Sequence, residues 1–350
     1  MAVPDMSSTL PRYDIRRDYA WNYAHAPEPV EMSIPPFPGE WTFLGYPVDS
    51  PLGIPAGPLL NGRWILYYAS LGFDVLTYKT VRSLERPCYA PPNLVPVDVG
   101  TLTGDEGAVR AAPTMRGSWA VSFGMPSASP DVWRRDVEQT RRRLSPEKRL
   151  VVSVVGTVLP GGSLESLAED YARCARWAVE SGADAVEANL SCPNVTTLDG
   201  QLYRDPDAAR LVARTLRHAI GTTPLILKIG HLTEPDLARR LVEAVAPFTQ
   251  ALAVTNSVAA RVQGADGQLL FDGQPRGICG AATLGASLAQ TRLFKSLIDA
   301  SSYDVKLIGV GGVSNGQHVR AYLAAGAESV HLATAAMVDP LVAVKIRSQS

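Results

Sequence analysis

Eight times between Gly53 and Leu332 a short, mostly apolar run gives way to a stretch with helical spacing, and this alternation limits the folds open to the chain more than any other feature. The runs are Gly53–Ala56, Val75–Lys79, Leu150–Val155, Ala185–Asn189, Leu225–Ile229, Ala251–Asn256, Lys306–Gly309 and Ser329–Leu332. Their length suits strands, and continuous apolarity is what a strand buried on both faces requires. Between them lie segments such as SLESLAEDYARCARWAVESGA, where Leu164, Leu167, Tyr171, Ala175 and Ala178 recur at spacings of three and four and Gly182 stands as a stop. In LTEPDLARRLVEAV, Thr233 is placed to cap the first turn, and Pro235 suits that turn because its missing N–H costs little there. A helix follows almost every strand, which predicts parallel pairing. Eight such units favour a closed α/β barrel, the (β/α)8 or TIM barrel, over an open sheet.

The barrel has a preface. Residues 1–41 are rich in Pro, Tyr and Trp without period, which predicts an irregular arm whose aromatics anchor it to the body. From Thr42 the segment TFLGYPVDSPLGIPAG places two apolar runs around Pro47–Pro51 and reads as a short β-hairpin ahead of the first core strand. Residues 42–350 then form one catalytic domain, a length that such barrels reach as a single unit.

Charge and cysteine usage narrow the function. The formal net charge is -1 and neither half carries a charged block, which argues against nucleic acid or an anionic membrane as the main partner and for a small molecule. Cys88, Cys174, Cys192 and Cys279 form no CxxC pair, so neither a disulfide framework nor a zinc site is indicated. The N-terminal segment shows no basic stretch followed by an apolar run, and no stretch reaches bilayer-spanning length; a cytoplasmic protein is expected.

In barrels of this kind ligands sit at the C-terminal ends of the strands. Those ends are Ala56-Gly57, Lys79-Thr80, Ser153, Asn189 to Asn194, Lys228, Asn256-Ser257, Gly309 to Gly312 and Ala333-Thr334. Asn189, Asn194 and Asn256 offer amides that match the alternating C=O and N–H edge of a cyclic imide. Loop capping is the ordinary use of a single asparagine, and three at one rim shift the reading towards a ligand. Lys79 and Lys228 close otherwise apolar strands; either they snorkel to solvent or they hold an anion. GVGG at Gly309–Gly312 lets backbone N–H groups approach a phosphate at the position where barrels often bind one. Cys192, between asparagines in ANLSCPNV, is the candidate acid/base, because nearby positive charge lowers a thiol from its usual pKa of about 8.5. The other three cysteines and His331 read as packing residues.

These residues resemble the dihydroorotate dehydrogenases, FMN-containing barrels of pyrimidine biosynthesis. The motifs YKT, NLSCPN, LKIG, VTNS, GVGG and LAT carry the likeness from about Phe43 to the end. The resemblance implies that Asn189, Asn194 and Asn256 hold a pyrimidine, with Ser257, Gly124 and Met125 beside it. Cys192 matches the catalytic base of the soluble class, whereas the membrane-associated class has serine there and an added apolar N-terminal region. Lys79 matches the lysine between flavin and substrate, and Lys228 the one near the flavin N1 and C2 carbonyl. Ala56, Gly57, Thr80, Ser153, Thr255, Gly280, Gly311, Gly312, Ala333 and Thr334 complete the implied FMN site, and a homodimer is expected. The chain departs from the pattern in VSFGMPS, where Val121 stands in place of a ligand-binding asparagine, and at Ala333, where glycine is frequent. Val121 therefore raises an alternative, the same flavin chemistry on a different cyclic amide or an enone-type substrate.

Overall fold

A computed structural model describes residues 10–158, 161–191 and 201–349. The arm is less irregular than its composition predicts. It contains α1 (Tyr19–Ala24), started by Asp18, whose carboxylate accepts from the Trp21 N–H at 2.7 Å. A hairpin follows, β1 (Trp41–Phe43) and β2 (Tyr46–Val48). Its turn is not Pro47–Pro51, as the proline spacing predicts, but Leu44-Gly45, at φ +51° and +86°; the second of these conformations costs glycine nothing. Pro47–Pro51 instead leads the chain into the barrel.

The barrel strands and helices then alternate. They begin with β3 (Leu52–Ile54), α2 (Gly62–Ser70) and β4 (Val75–Val81). An insertion carries β5 (Leu94–Asp98), β6 (Ala108–Ala111) and β7 (Ser118–Val121). Next come α3 (Pro130–Arg143), β8 (Arg149–Val154), α4 (Leu164–Glu180), β9 (Ala185–Asn189), α5 (Pro206–Ile220), β10 (Leu225–Lys228), α6 (Pro235–Val245) and β11 (Ala251–Val254). A second insertion holds β12 (Val258–Gln263) and β13 (Arg276–Gly280). The chain closes with α7 (Leu284–Asp299), β14 (Lys306–Val310), α8 (Gly316–Ala324), β15 (Ser329–His331), α9 (Thr334–Val338) and α10 (Val342–Ser348). Strands β3, β4, β8, β9, β10, β11, β14 and β15 pair in that order, all parallel, and close on themselves. The eight expected strands are the eight observed. Thr233 does not cap α6: Glu234 occupies the cap position and makes no side-chain capping bond, while Pro235 takes the first turn as expected.

Side-chain alternation explains the continuous apolar runs. Val75, Val151, Ala185, Ile226, Ala251 and Ile308 pack inside the barrel, and Phe43 and Val48 of the hairpin join that cluster. Their neighbours Leu76, Val152, Val186, Leu227, Leu252 and Leu307 face the helices. Burying each such side chain contributes roughly 1.5–3 kcal/mol, so both faces of every strand are held. Gly53 is required by a close approach, since a Cβ there would lie 2.4 Å from the His331 ring.

His331 is therefore a barrel-interior imidazole, buried and bonded to the Ser329 hydroxyl at 3.1 Å. Burial, with Lys228 adding to it, pushes its pKa down to about 3. The unfolded imidazole titrates near 6.5, so the contribution is fully present above that pH and is lost as pH falls from about 6.5 towards 3. Denaturant midpoints measured from pH 7 to pH 4 should fall less steeply in His331→Gln than in the unaltered protein, by up to about 1.4 kcal/mol per pH unit. Equal slopes would assign the acid sensitivity elsewhere.

The two insertions meet at the C-terminal rim. β12, β13, β7, β5 and β6 close into a second, five-stranded barrel with its own core of Val97, Val109, Ala120, Val258, Val262 and Ile278. The sequence reading assigns no strands here, although VAARVQ in β12 alternates buried and exposed residues as a half-buried strand should. Among the described residues no helix is long and apolar enough to cross a membrane.

Candidate active site

Two of the cavities at the rim share Asn256 and Cys279 in their walls. One, about 240 Å³, is lined by Gly280, Gly311, Gly312, Thr283, Ser314, His331, Ala333 and Thr334. Glycine is demanded at Gly311, which has φ +133° and where a Cβ would sit 2.2 Å from the Ser287 hydroxyl. Around this cradle the hydroxyls of Thr334 and Thr255 are buried without partners. Buried hydroxyls are ordinarily bonded, so these two orphans mark a place built for an oxygen-rich group. A flavin phosphate and ribityl chain fit that donor set.

The second cavity, about 130 Å³, is lined by Ala56, Gly57, Lys79, Thr80, Gly124, Met125, Asn189, Lys228 and Ser257, together with Tyr19, Leu60, Val121, Phe123, Ser191 and Gly277. The expected residues from five strand ends and the Gly124-Met125 loop are thus brought together. Lys228 is buried and its ammonium donates to the Ala56 carbonyl at 3.3 Å. Lys79 donates to the carbonyls of Thr80 and Pro126. Burial pushes Lys79 down to about 7, with Cys88 opposing the fall and Arg82 adding to it, so its proton is easily exchanged near neutrality. The Gly124-Met125 turn has φ of +73° and +50°, and a Cβ on Gly124 would meet the Tyr89 ring at 2.5 Å.

The asparagines act on the backbone as well as on the cavity. Asn189 donates to the Thr80 hydroxyl at 3.4 Å, and its Oδ1 accepts from the Ser191 N–H at 3.1 Å. Asn256 donates to the Ser191 carbonyl and hydroxyl at 2.6 and 2.9 Å. Both amides therefore clamp the residue immediately before Cys192. Cys192 and Asn194 themselves lie outside the described residues.

Other expected residues stand further back. Ser153 is fully buried and lines neither cavity; it bonds the Thr80 hydroxyl at 3.0 Å and so supports the wall from inside the barrel. Thr255 is likewise buried, behind Asn256. Cys174 is buried and Cys279 packs against the main core as expected, though Cys279 and Cys88 are only partly buried. Cys88 is half-exposed, and Cys279 touches both cavities because β13 of the small barrel carries it to the rim. Its depth in the protein pushes the thiol up to about 11 against the influence of Lys228, so it stays protonated. Tyr19 is the residue the sequence hid most completely. It comes from the arm, and its ring lies 5.7 Å from the Lys79 ammonium and 6.1 Å from Phe123. Aromatic richness in the arm was the only signal for it.

Among the described residues no group of three or more His, Cys, Asp or Glu side chains is placed to hold a metal. Residues 40–349 match the family model described as dihydroorotate dehydrogenase. A dihydroorotate dehydrogenase of Dictyostelium discoideum is 32% identical over 96% of this chain and 96% of its own length. A dihydroorotate dehydrogenase (quinone) of Arthrobacter is 27% identical over 88% of this chain and 83% of the relative, and an NAD(+)-type catalytic subunit of Staphylococcus carnosus is 28% identical over 52% and 57%. Among solved structures, that of the Eimeria tenella enzyme in complex with ferulenol aligns with a TM-score of 0.73 over 94% of this chain and 88% of that one; at 17% identity the likeness is one of fold.

Proposed function

Because this chain belongs to the dihydroorotate dehydrogenase family, we propose that it is an FMN-dependent oxidoreductase that converts dihydroorotate to orotate in pyrimidine biosynthesis. The observation that carries the reading is the meeting, at Asn256 and Cys279, of a glycine cradle ringed by orphan hydroxyls with a pocket of buried lysines and asparagines. Gly280, Gly311, Gly312 and Thr334 would hold the phosphate end of FMN, and Ala56, Gly57, Thr80 and Lys228 its ring end. FMN, when bound, supplies the two-electron acceptor for the hydride that leaves C6 of the substrate.

The chain supplies the proton chemistry and the positioning. Cys192, as thiolate, takes the proton from C5, and the positive charge of the rim lysines favours that thiolate. Asn189 and Asn256 fix Ser191, the residue that precedes the base. Their amides, with that of Asn194, read the polar edge of the ring. Lys228 and Lys79 line the pocket and would donate to the groups it holds. Cysteine at 192 favours the soluble class, working in the cytoplasm as a homodimer.

One observation favours a second reading. Val121 lines the catalytic cavity beside Phe123, Tyr19 and Leu60, so that wall is apolar where an amide would bond the substrate. Losing such a bond costs about 1–3 kcal/mol, which a different cyclic amide or an enone-type substrate would not incur. The two readings share the cofactor. Purified protein is expected to be yellow and to release FMN on denaturation; a colourless protein that cannot be reconstituted with FMN would defeat both.

A further inference from the structure

Inside the barrel, below the rim that carries Asn189 and Lys228, one carboxylate oxygen has no partner. Glu187 lies on β9 with 2% of its surface exposed, and its Oε1 is buried without a hydrogen bond. Its direction follows from strand alternation. Ala185 belongs to the interior cluster, so Glu187 and Asn189 face the interior too; Ile226 belongs to it, so Lys228 does likewise. The register sets Asn189 beside Lys228 and Glu187 beside Ile226. Glu187 is thus one pleat step below Lys228 on the neighbouring strand, a diagonal of about 7–8 Å between backbones that long side chains can span.

A buried carboxylate and a buried ammonium each carry a desolvation cost of several kcal/mol, and each is the natural remedy for the other. Arg149 on β8 and Lys306 on β14 share the inward parity at the opposite end of the barrel, where Arg149 donates to the Pro47 carbonyl at 3.0 Å and Lys306 pairs with Asp304 at 2.7 Å. Lys79 on β4 is engaged by the carbonyls of Thr80 and Pro126, while burial keeps His331 on β15 neutral and Cys279 on β13 a thiol. Among the described residues Lys228 makes one long bond, to the Ala56 carbonyl at 3.3 Å.

From this placement we propose that Glu187 is the positioning residue of Lys228: its carboxylate is the counter-charge that keeps the Lys228 ammonium protonated beneath the cofactor site. The inference rests on the FMN reading and adds to it a residue that lines neither cavity.

The test is a redox titration of the FMN-loaded protein between pH 6 and 9. In the unaltered protein the proposal expects a midpoint potential that falls smoothly with pH. In Glu187→Gln the buried ammonium lacks its counter-charge and loses its proton within the range. Above that break the potential drops below that of the unaltered protein by at least a tenfold loss of preference for the reduced form, about 30 mV for a two-electron couple. Parallel profiles would overturn the proposal. So would a break that persists in Glu187→Gln/Lys228→Met, compared with Lys228→Met alone. Should Glu187→Gln fail to fold, rescue by the double variant, which removes both charges, supports the pairing, and failure of rescue contradicts it. A yellow protein with parallel profiles defeats this inference alone; a protein unable to take up FMN defeats the cofactor reading and this inference with it.

Discussion

Replacing Cys192 with alanine slows reduction of the bound flavin by dihydroorotate by about 10²–10⁴-fold, the range associated with a positioned general base, and leaves the flavin in place. The size of the effect follows from how the neighbouring chain is held. Ser191 is buried, accepts two hydrogen bonds from the Asn256 amide and donates its N–H to Asn189, so the residue that precedes the base is fixed by both rim asparagines. No other described group is suited to take its place. Cys279 reaches the same pocket but its thiol is held up near 11, and the Lys79 amine is occupied by two carbonyls. Cys192→Ser keeps a hydroxyl of similar size and should fall between the two. Anaerobic stopped-flow that follows the visible absorption of the oxidised flavin separates this step from reoxidation; equal rates in Cys192→Ala and the unaltered protein would remove Cys192 from the chemistry.

The largest expected loss of stability lies at the opposite end of the barrel. Arg347, on α10, donates to the Asp74 carboxylate at 2.5 Å, to the Ser50 hydroxyl at 2.8 Å, to the Gly72 carbonyl at 2.9 Å and to the Pro35 carbonyl at 3.2 Å. Asp74 is fully buried and also receives Ser50 and Lys148, the latter at 2.8 Å. One guanidinium therefore ties the last helix, the start of β4 and the arm together. Arg347→Met removes one partner of a buried pair and leaves the carboxylate with less than its full set of donors, which costs about 3–5 kcal/mol. The retained Lys148 places the expectation at the low end of that range. Asp74→Asn combined with Arg347→Met should recover part of the loss. Denaturant midpoints of the two variants check this, and a single variant as stable as the unaltered protein would show that the latch contributes nothing.

How much of this was readable follows from the length scale of each signal. The eight strands were legible because burial on both faces leaves runs such as LVVSVV and LILK that need no tertiary context to recognise. Lys79, Lys228, Asn189 and Asn256 were legible as polar residues ending such runs. Tyr19 was not, because nothing local in YAWNYA says that the arm folds back 60 residues in sequence to stand over Lys79. Cys279 was not, because its strand is one of five short ones whose closure into a second barrel joins two insertions far apart in the chain. Glu187 was hidden differently. AVEANL reads as an apolar strand with one charge in it, and only the parity set by Ala185 turns that charge inward.

The central claim is that this site passes electrons from dihydroorotate to a bound flavin. Adding dihydroorotate to the FMN-loaded protein under anaerobic conditions tests it most directly. The account predicts that the yellow absorption bleaches and that orotate forms in equal amount to the flavin reduced. A flavin that stays oxidised with dihydroorotate, in a protein that dithionite still reduces, would contradict the substrate and leave the apolar wall at Val121 as the reason.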